Sequence, residues 1–458
     1  MDATGARPLA CESQEKMVPS AILPVLGVLL LVCSPMLMGT TDDKYGEFEK
    51  ERATQMLHAI EADLKKSYYD PQFHGLDVSA RFHEAEQKIR AAKNMNEAFS
   101  DIAAALLALD DSHTFFLPPP RPYTHDYGFR MKAVGDSAVY ISAVRPGTDA
   151  QTKGLQAGDQ VLGVNKYDAT RDNLWTLNYV YDVLRPQPGL HLVLRSPKGE
   201  EKDLVVQSRE HMGRRYVDFM VASTSISEME REDEESKRLR RPRFAELGSD
   251  VIICRLADFA FNPDHVNDLL DRFRSHRALI LDLRGNPGGF VPTAEKFTGG
   301  FFDKEIKIAD RRGRKELKPT MAQSRGGKTV TSQLVVLIDG GSASAAELFA
   351  RVVQIEKRGT VLGDRSSGSV MEAKRFNYTS GVSQGTFYGA SITEADLIMA
   401  DGKSLEKTGV IPDERIVPTG EDLAADRDPV LTRAAQLVGA KLTPEEAGKL
   451  FPLEWPSN

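Results

Sequence analysis

Leu334-Val-Val-Leu-Ile-Asp339, followed by Gly340-Gly-Ser-Ala-Ser-Ala-Ala-Glu347, is an apolar run that ends at an acid, turns through two glycines and enters a helical-looking LFARVVQI. Such an unbroken run of branched residues is what a parallel strand buried on both faces requires. A serine at the first turn of the helix leaving that strand lies beside unpaired N–H groups and the positive end of the helix dipole, where an oxyanion is stabilised. Two serines are available. We assign Ser342 to the turn or helix cap and Ser344 to the nucleophile, although periodicity alone does not separate them.

Outward from this stretch the pattern is β-α-β: VIICRL, a helix around NPDHVNDLLDRFRS, the strand ALILDL, then RGNPGG opening a further helix. Gly285, Gly288 and Gly289 serve either close strand-helix packing or a backbone that approaches a ligand. RGNPGG lacks both G-x-G-x-x-G and a Walker lysine, so phosphate binding has little support. Asp282 and Arg284 are read as braces of the strand end. Residues 228–243, EMEREDEESKRLRRPR, are an acidic block followed by a basic one and read as a solvated linker without function.

Residues 44–117 read as helical. Asn94 is an N-cap with Glu97 three positions on, and Phe99, Ile102, Leu106 and Leu109 share one face. That helix cannot continue through Pro118 to Pro120, which leaves His113 on a loop at its end. Between about 124 and 210 the texture changes to short alternating segments (AVYISAV, DQVLGVN, LHLVLRS, DLVVQS) divided by turn residues.

A chain of 458 residues, with 41% hydrophobic and 27% charged residues, accommodates two or three domains with real cores. Its net charge of -7 gives no reason to expect a nucleic-acid partner. Three cysteines, two of them in the first 33 residues, leave only Cys254 for the folded part, so neither a disulfide framework nor a cysteine-zinc site is expected. From Val18 to Thr41 there is no charge, and AILPVLGVLLLVC has the texture of a secretory h-region or a short membrane span; LLVC33 has the outline of a lipobox with a bulky Val32. Export, to a periplasmic or cell-envelope location with a possible tether at 18–41, is the expectation.

YGFRM and VYISAVRPGTDAQTKGLQAGDQVLGVNKYDA resemble a PDZ domain, with Tyr127, Gly128 and Phe129 as its carboxylate-receiving loop. The resemblance implies a module that takes a peptide as an added strand, or one that only orients domains or gates a site. DDSHTFF, that module, DLRGNPGG, GGSASAAE and EKTGVIPD, in this order, resemble the carboxyl-terminal-processing (tail-specific) peptidase family and its tricorn-like branch. The family resemblance implies Ser344 as nucleophile and the amides of Ala345 and of Gly288 or Gly289 as the oxyanion hole. Where the Ser-Lys members carry their lysine, in T-F-G-K-G, this chain has Ser369; Lys374 lies five residues on, out of register. An imidazole titrating near 6.5 is able to accept the serine proton at neutral pH. The tricorn-like branch implies such a base in His113, oriented by Ser112 and Glu406, with no metal or organic cofactor.

The expected architecture is α/β and multidomain, with a C-terminal α/β core of the ClpP/crotonase-like type. Its parts are a signal peptide or anchor (1–43), an N-terminal helical subdomain (44–120), a PDZ-like β-rich domain (121–212), a charged linker (213–247), the protease core (248–425) and a helical tail (426–458). The expected function is a serine endopeptidase acting on proteins or peptides. Two other readings stand beside it: a binding or scaffold protein that kept the fold without the chemistry, and an esterase using the same residues.

Overall fold

The computed structural model describes residues 45–121, 123–212, 234–380 and 386–456. The uncharged stretch at 18–41, LLVC33 and the acidic residues up to 233 lie outside them. Among the described residues, no helix is long and apolar enough to cross a membrane.

The first unit packs the helices Glu47–Ser67, Val78–Ala91 and Met95–Leu107 around Met56, Ile60, Leu64, Ile89, Ile102 and Leu106, all fully buried. Asn94 accepts a hydrogen bond from the Glu97 amide, so the third helix starts where the sequence signal places it. It ends just before Asp110, whose φ of 56° turns the chain sharply. The next residues depart from the all-helical reading: Phe115–Leu117 is a strand, antiparallel to Ser391, Ala390 and Gly389, with Phe116 fully buried. Three residues ahead of three prolines are too few to display a period of two, and their partner lies far along the chain.

The β-rich module is a six-stranded antiparallel sheet built from Phe129–Val134, Ala138–Val144, Gln160–Val164, Tyr167–Asp168, Gly189–Arg195 and Glu201–Gln207. Val139, Ile141, Val161, Leu192 and Leu194 face its core, the period-2 pattern of a half-buried sheet.

The third unit holds a sheet in the order Arg243–Leu247, Val251–Arg255, Ala278–Asp282, Gln333–Ile338, Gly359–Gly363 and Glu414–Arg415, parallel throughout except at its first strand. Both faces are covered. Ile252, Cys254, Leu279 and Leu281 point into one apolar layer under the helices Val266–Arg274, Val291–Gly299 and Ala345–Ile355. Val251, Ile253, Ala278 and Ile280 point into a second layer with Val430, Leu431 and Ala434 of the helix Pro429–Leu437. Each buried Val, Leu or Ile among them contributes roughly 1.5–3 kcal/mol, which is why the strands read as unbroken apolar runs. The first strand, Arg243–Leu247, corrects the linker boundary drawn at 247: the charged RLRRPR beside it hides an edge strand.

A second, five-stranded sheet pairs Thr386–Met399 with Phe115–Leu117, Ile306–Arg312 and Met371–Ser380. It joins the helical unit to the core. The module is bolted to the core separately: Arg171 donates to Asp364 at 2.9 Å and to the carbonyls of Arg365 and Ser366, and both members of the ion pair are almost fully buried. Lys132 pairs with Asp339 at 2.9 Å beside it.

Candidate active site

Three crossovers of the parallel sheet, 283–290, 339–344 and 364–370, meet at the carboxyl ends of its strands, where open α/β sheets hold their ligands. Ser344 is the N-cap of Ala345–Ile355 and has φ 52° and ψ −116°, a conformation that non-glycine residues rarely adopt. Holding it costs on the order of 1–3 kcal/mol. Its amide is shared between the Ser369 carbonyl at 2.9 Å and Glu347 Oε2 at 3.0 Å. Ser342 is fully buried and its hydroxyl is committed, donating to the Leu283 carbonyl and accepting from the Asp339 amide. The turn residue and the helix-capping serine are thereby distinguished.

Glu347 was not singled out from sequence, although an acid three residues after a serine is a helix-start signal. It is fully buried and accepts from the Ser366 hydroxyl and from the amides of Ser344, Gly368 and Ser369. Burial pushes its carboxyl up to about 7 against these four donated bonds. One carboxylate therefore ties the strained serine to the loop that carries Ser369.

Gly288 and Gly289 come against the serine from the neighbouring crossover. A Cβ on Gly288 would lie 2.7 Å from Ser344 Cβ, and one on Gly289 2.2 Å from the Phe259 backbone, so glycine is required at both. The Gly288 amide donates to Asn286 Oδ1 at 2.8 Å and is engaged. Of the two glycine amides, that of Gly288 is thus already committed, and Asn286, whose backbone carbonyl also accepts from the Ala343 amide, braces the turn.

His113 lies on the loop after the helical unit. The Ser112 hydroxyl is 2.7 Å from His113 Nδ1 and donates to Glu406 Oε2 at 2.8 Å; Glu406 also accepts from the amides of Ser112 and Val370. A hydroxyl has one proton, and here it goes to the carboxylate. The Ser112 oxygen then accepts from Nδ1–H, which leaves Nε2 with its lone pair. Burial holds the imidazole below its ordinary value of 6.5, opposed by the charge of Asp111. Burial also raises Glu406, against its donated hydrogen bonds. Asp111, within the quoted DDSHTFF but given no role from sequence, accepts from the amides of His113 and Thr114 and from Tyr68 and Thr393, and so shapes this loop.

Val370, which donates to Glu406, directly follows Ser369, whose carbonyl holds the Ser344 amide; the two halves of the site are thus joined through adjacent residues. No direct hydrogen bond links Ser344 and His113 among the described residues. Lys374 is exposed on the strand Met371–Ser380, its ammonium 5.1 Å from the Phe376 ring.

Tyr127 and Phe129 line a cavity of about 330 Å³ in the β-rich module. The Gly128 amide in the same loop donates to Asp126 Oδ1 at 2.9 Å, so the loop already holds a carboxylate of its own chain.

Residues 250–416 match the model of Peptidase family S41, and residues 120–176 that of the PDZ domain. The chain is 24% identical over 412 residues to carboxyl-terminal-processing peptidase 2, chloroplastic, of Arabidopsis thaliana, an alignment covering 86% of this chain and 74% of that one. It is 24% identical to the carboxyl-terminal-processing protease of a Picosynechococcus strain, over 88% and 90% of the two chains. The crystal structure of mature CPAF superposes with a TM-score of 0.61 at 15% identity, over 82% and 94% of the chains, and the photosystem II D1 C-terminal processing protease with 0.50 at 18%, over 86% and 99%. With these matches spanning the sheet, its crossovers and the β-rich module, the chain carries a peptidase family S41 region at 250–416 and a PDZ domain at 120–176, and is a serine peptidase.

Proposed function

We propose that this peptidase cleaves internal peptide bonds through an acyl-enzyme, with Ser344 as nucleophile, His113 as general base and acid, and Ser112 and Glu406 as the groups that orient the imidazole. The observation that carries the reading is the Ser112 hydroxyl between His113 Nδ1 and Glu406, which leaves Nε2 as proton acceptor. As Ser344 Oγ bonds to the peptide carbonyl carbon, its proton passes to Nε2, and the oxyanion accepts from the Gly289 and Ala345 amides. Collapse expels the amine with the proton from Nε2. Water then loses a proton to Nε2 as it attacks the ester, and that proton returns to Ser344. Because Ser344 and His113 share no hydrogen bond at rest, the pair closes when a peptide is bound. The exposed Lys374 supports a histidine rather than a lysine base.

The PDZ module receives protein or peptide chains, their C-termini among them, as strands added beside Phe129–Val134. The uncharged stretch at 18–41 supports export to the cell envelope, which fractionation of tagged full-length protein tests.

Fluorophosphonate labelling between about pH 5 and 9, with the adduct located by mass spectrometry, tests the mechanism. The expected adduct is on Ser344, is lost in His113→Ala and persists in Lys374→Ala. Loss in Lys374→Ala alone returns the base to lysine. A folded protein that never labels favours the binding-protein reading, for which Ser369 in the lysine position is the motive.

A further inference from the structure

The basic half of the charged run, left without function by the sequence, has a partner in the structure. Arg241 grips Glu454 with both guanidinium nitrogens, at 2.9 and 3.2 Å, and Arg238 donates to the same carboxylate at 3.0 Å and to the Trp455 carbonyl at 3.1 Å. Arg243 donates to the Pro452 carbonyl and lies over the Phe451 ring. The other side of the segment meets the PDZ module. Arg130 and Arg145 lie 5.2 and 5.9 Å from the Trp455 ring, and Arg145 donates to the Pro456 carbonyl at 2.6 Å. Arg130, Arg145 and Pro456 line the same 330 Å³ cavity as Tyr127 and Phe129. Arg145 also pairs with Asp126 at 2.5 Å, the residue that occupies the Gly128 amide.

We propose that the segment Phe451–Pro456 is an intramolecular ligand at the mouth of the PDZ groove, and that an incoming peptide must displace it. The inference rests on the reading that this groove receives substrate. The part of the segment that meets the module also specifies the chemistry of what displaces it: an aromatic ring on Arg130 and Arg145, followed by a carbonyl on Arg145. Peptides that bring an aromatic residue to Arg130 and Arg145 compete best. The acidic anchor is ionic and half-exposed, so salt loosens it.

The test uses the full chain and two variants, Trp455→Ala and Glu454→Ala, neither of which touches the catalytic groups. A fluorescein-labelled peptide, acetyl-FPLEWP, is titrated into each by anisotropy, and cleavage of an unfolded protein substrate, reduced casein, is measured in parallel. Removing a nine-to-one bias toward the occupied groove tightens apparent affinity about tenfold in both variants. Fluorophosphonate labelling stays unchanged. Equal peptide affinity in wild type and in both variants, each with a native thermal transition, overturns the proposal. Tighter peptide binding without faster casein cleavage keeps the intramolecular ligand and instead refutes the reading that the groove delivers substrate.

Discussion

At the scale of single residues, the site separates holding a proton from moving it. Ser112→Ala removes the bridge between His113 and Glu406 while leaving the catalytic atoms in place. Peptide hydrolysis in this variant falls by about 10–100-fold in kcat with KM nearly unchanged, the pattern of lost orientation rather than lost binding. The pH profile carries its own sign. On the proposed mechanism the neutral imidazole is the active form, and burial holds its pKa below 6.5, so kcat/KM is expected to fall only as pH drops through that lowered value. Asp111 opposes this shift, so Asp111→Asn, which keeps an acceptor for the loop amides, moves the acid limb of the profile to still lower pH. A limb that moves upward in that variant contradicts the assignment of His113 as the titrating base.

At the scale of elements, the strand-to-helix turn is held by what lies under it. Glu347→Gln keeps the volume but replaces a fourfold acceptor with an amide that has one acceptor oxygen. Melting experiments should register a loss of about 2 kcal/mol, with hydrolysis reduced because the Ser344 amide loses a partner. The parallel sheet was legible because burial on both faces leaves a plain signature, as in ALILDL and LVVLID. The strand-to-helix turn that carries Ser344 was legible through the order of motifs. Much of what supports it was not. Glu347 reads as an ordinary helix-start acid until the 366–370 loop is seen to close on it. The Gly288 amide cannot be known to be engaged until Asn286 is seen to accept from it. The strand Phe115–Leu117 and the edge strand Arg243–Leu247 escaped for a related reason: neither displays its pattern without the partner strand.

At the scale of the whole molecule, the PDZ module and the core share buried charge. Arg171 meets Asp364 and the carbonyls of Arg365 and Ser366, in the loop that also contacts Glu347. Arg171→Ala leaves Asp364 buried without its main partner, and a loss of roughly 3–5 kcal/mol is expected by denaturant melts. Activity falls with it, because the 364–370 loop carries the carbonyl that holds the Ser344 amide. Arg171→Lys, which keeps the charge but not the fork, lies between the two.

Ser112 and Glu406 stand 294 residues apart. At translation rates of about 5–20 residues per second, roughly 15–60 s pass between synthesis of the two. Until the later residue is made, the proposed base has no orienting carboxylate, and the strand Phe115–Leu117 has no partner to fix its loop until residues 389–391 exist. On the proposed mechanism, a peptidase so arranged is inert while it is a nascent chain, sparing the ribosome and its own unfinished polypeptide from premature cleavage.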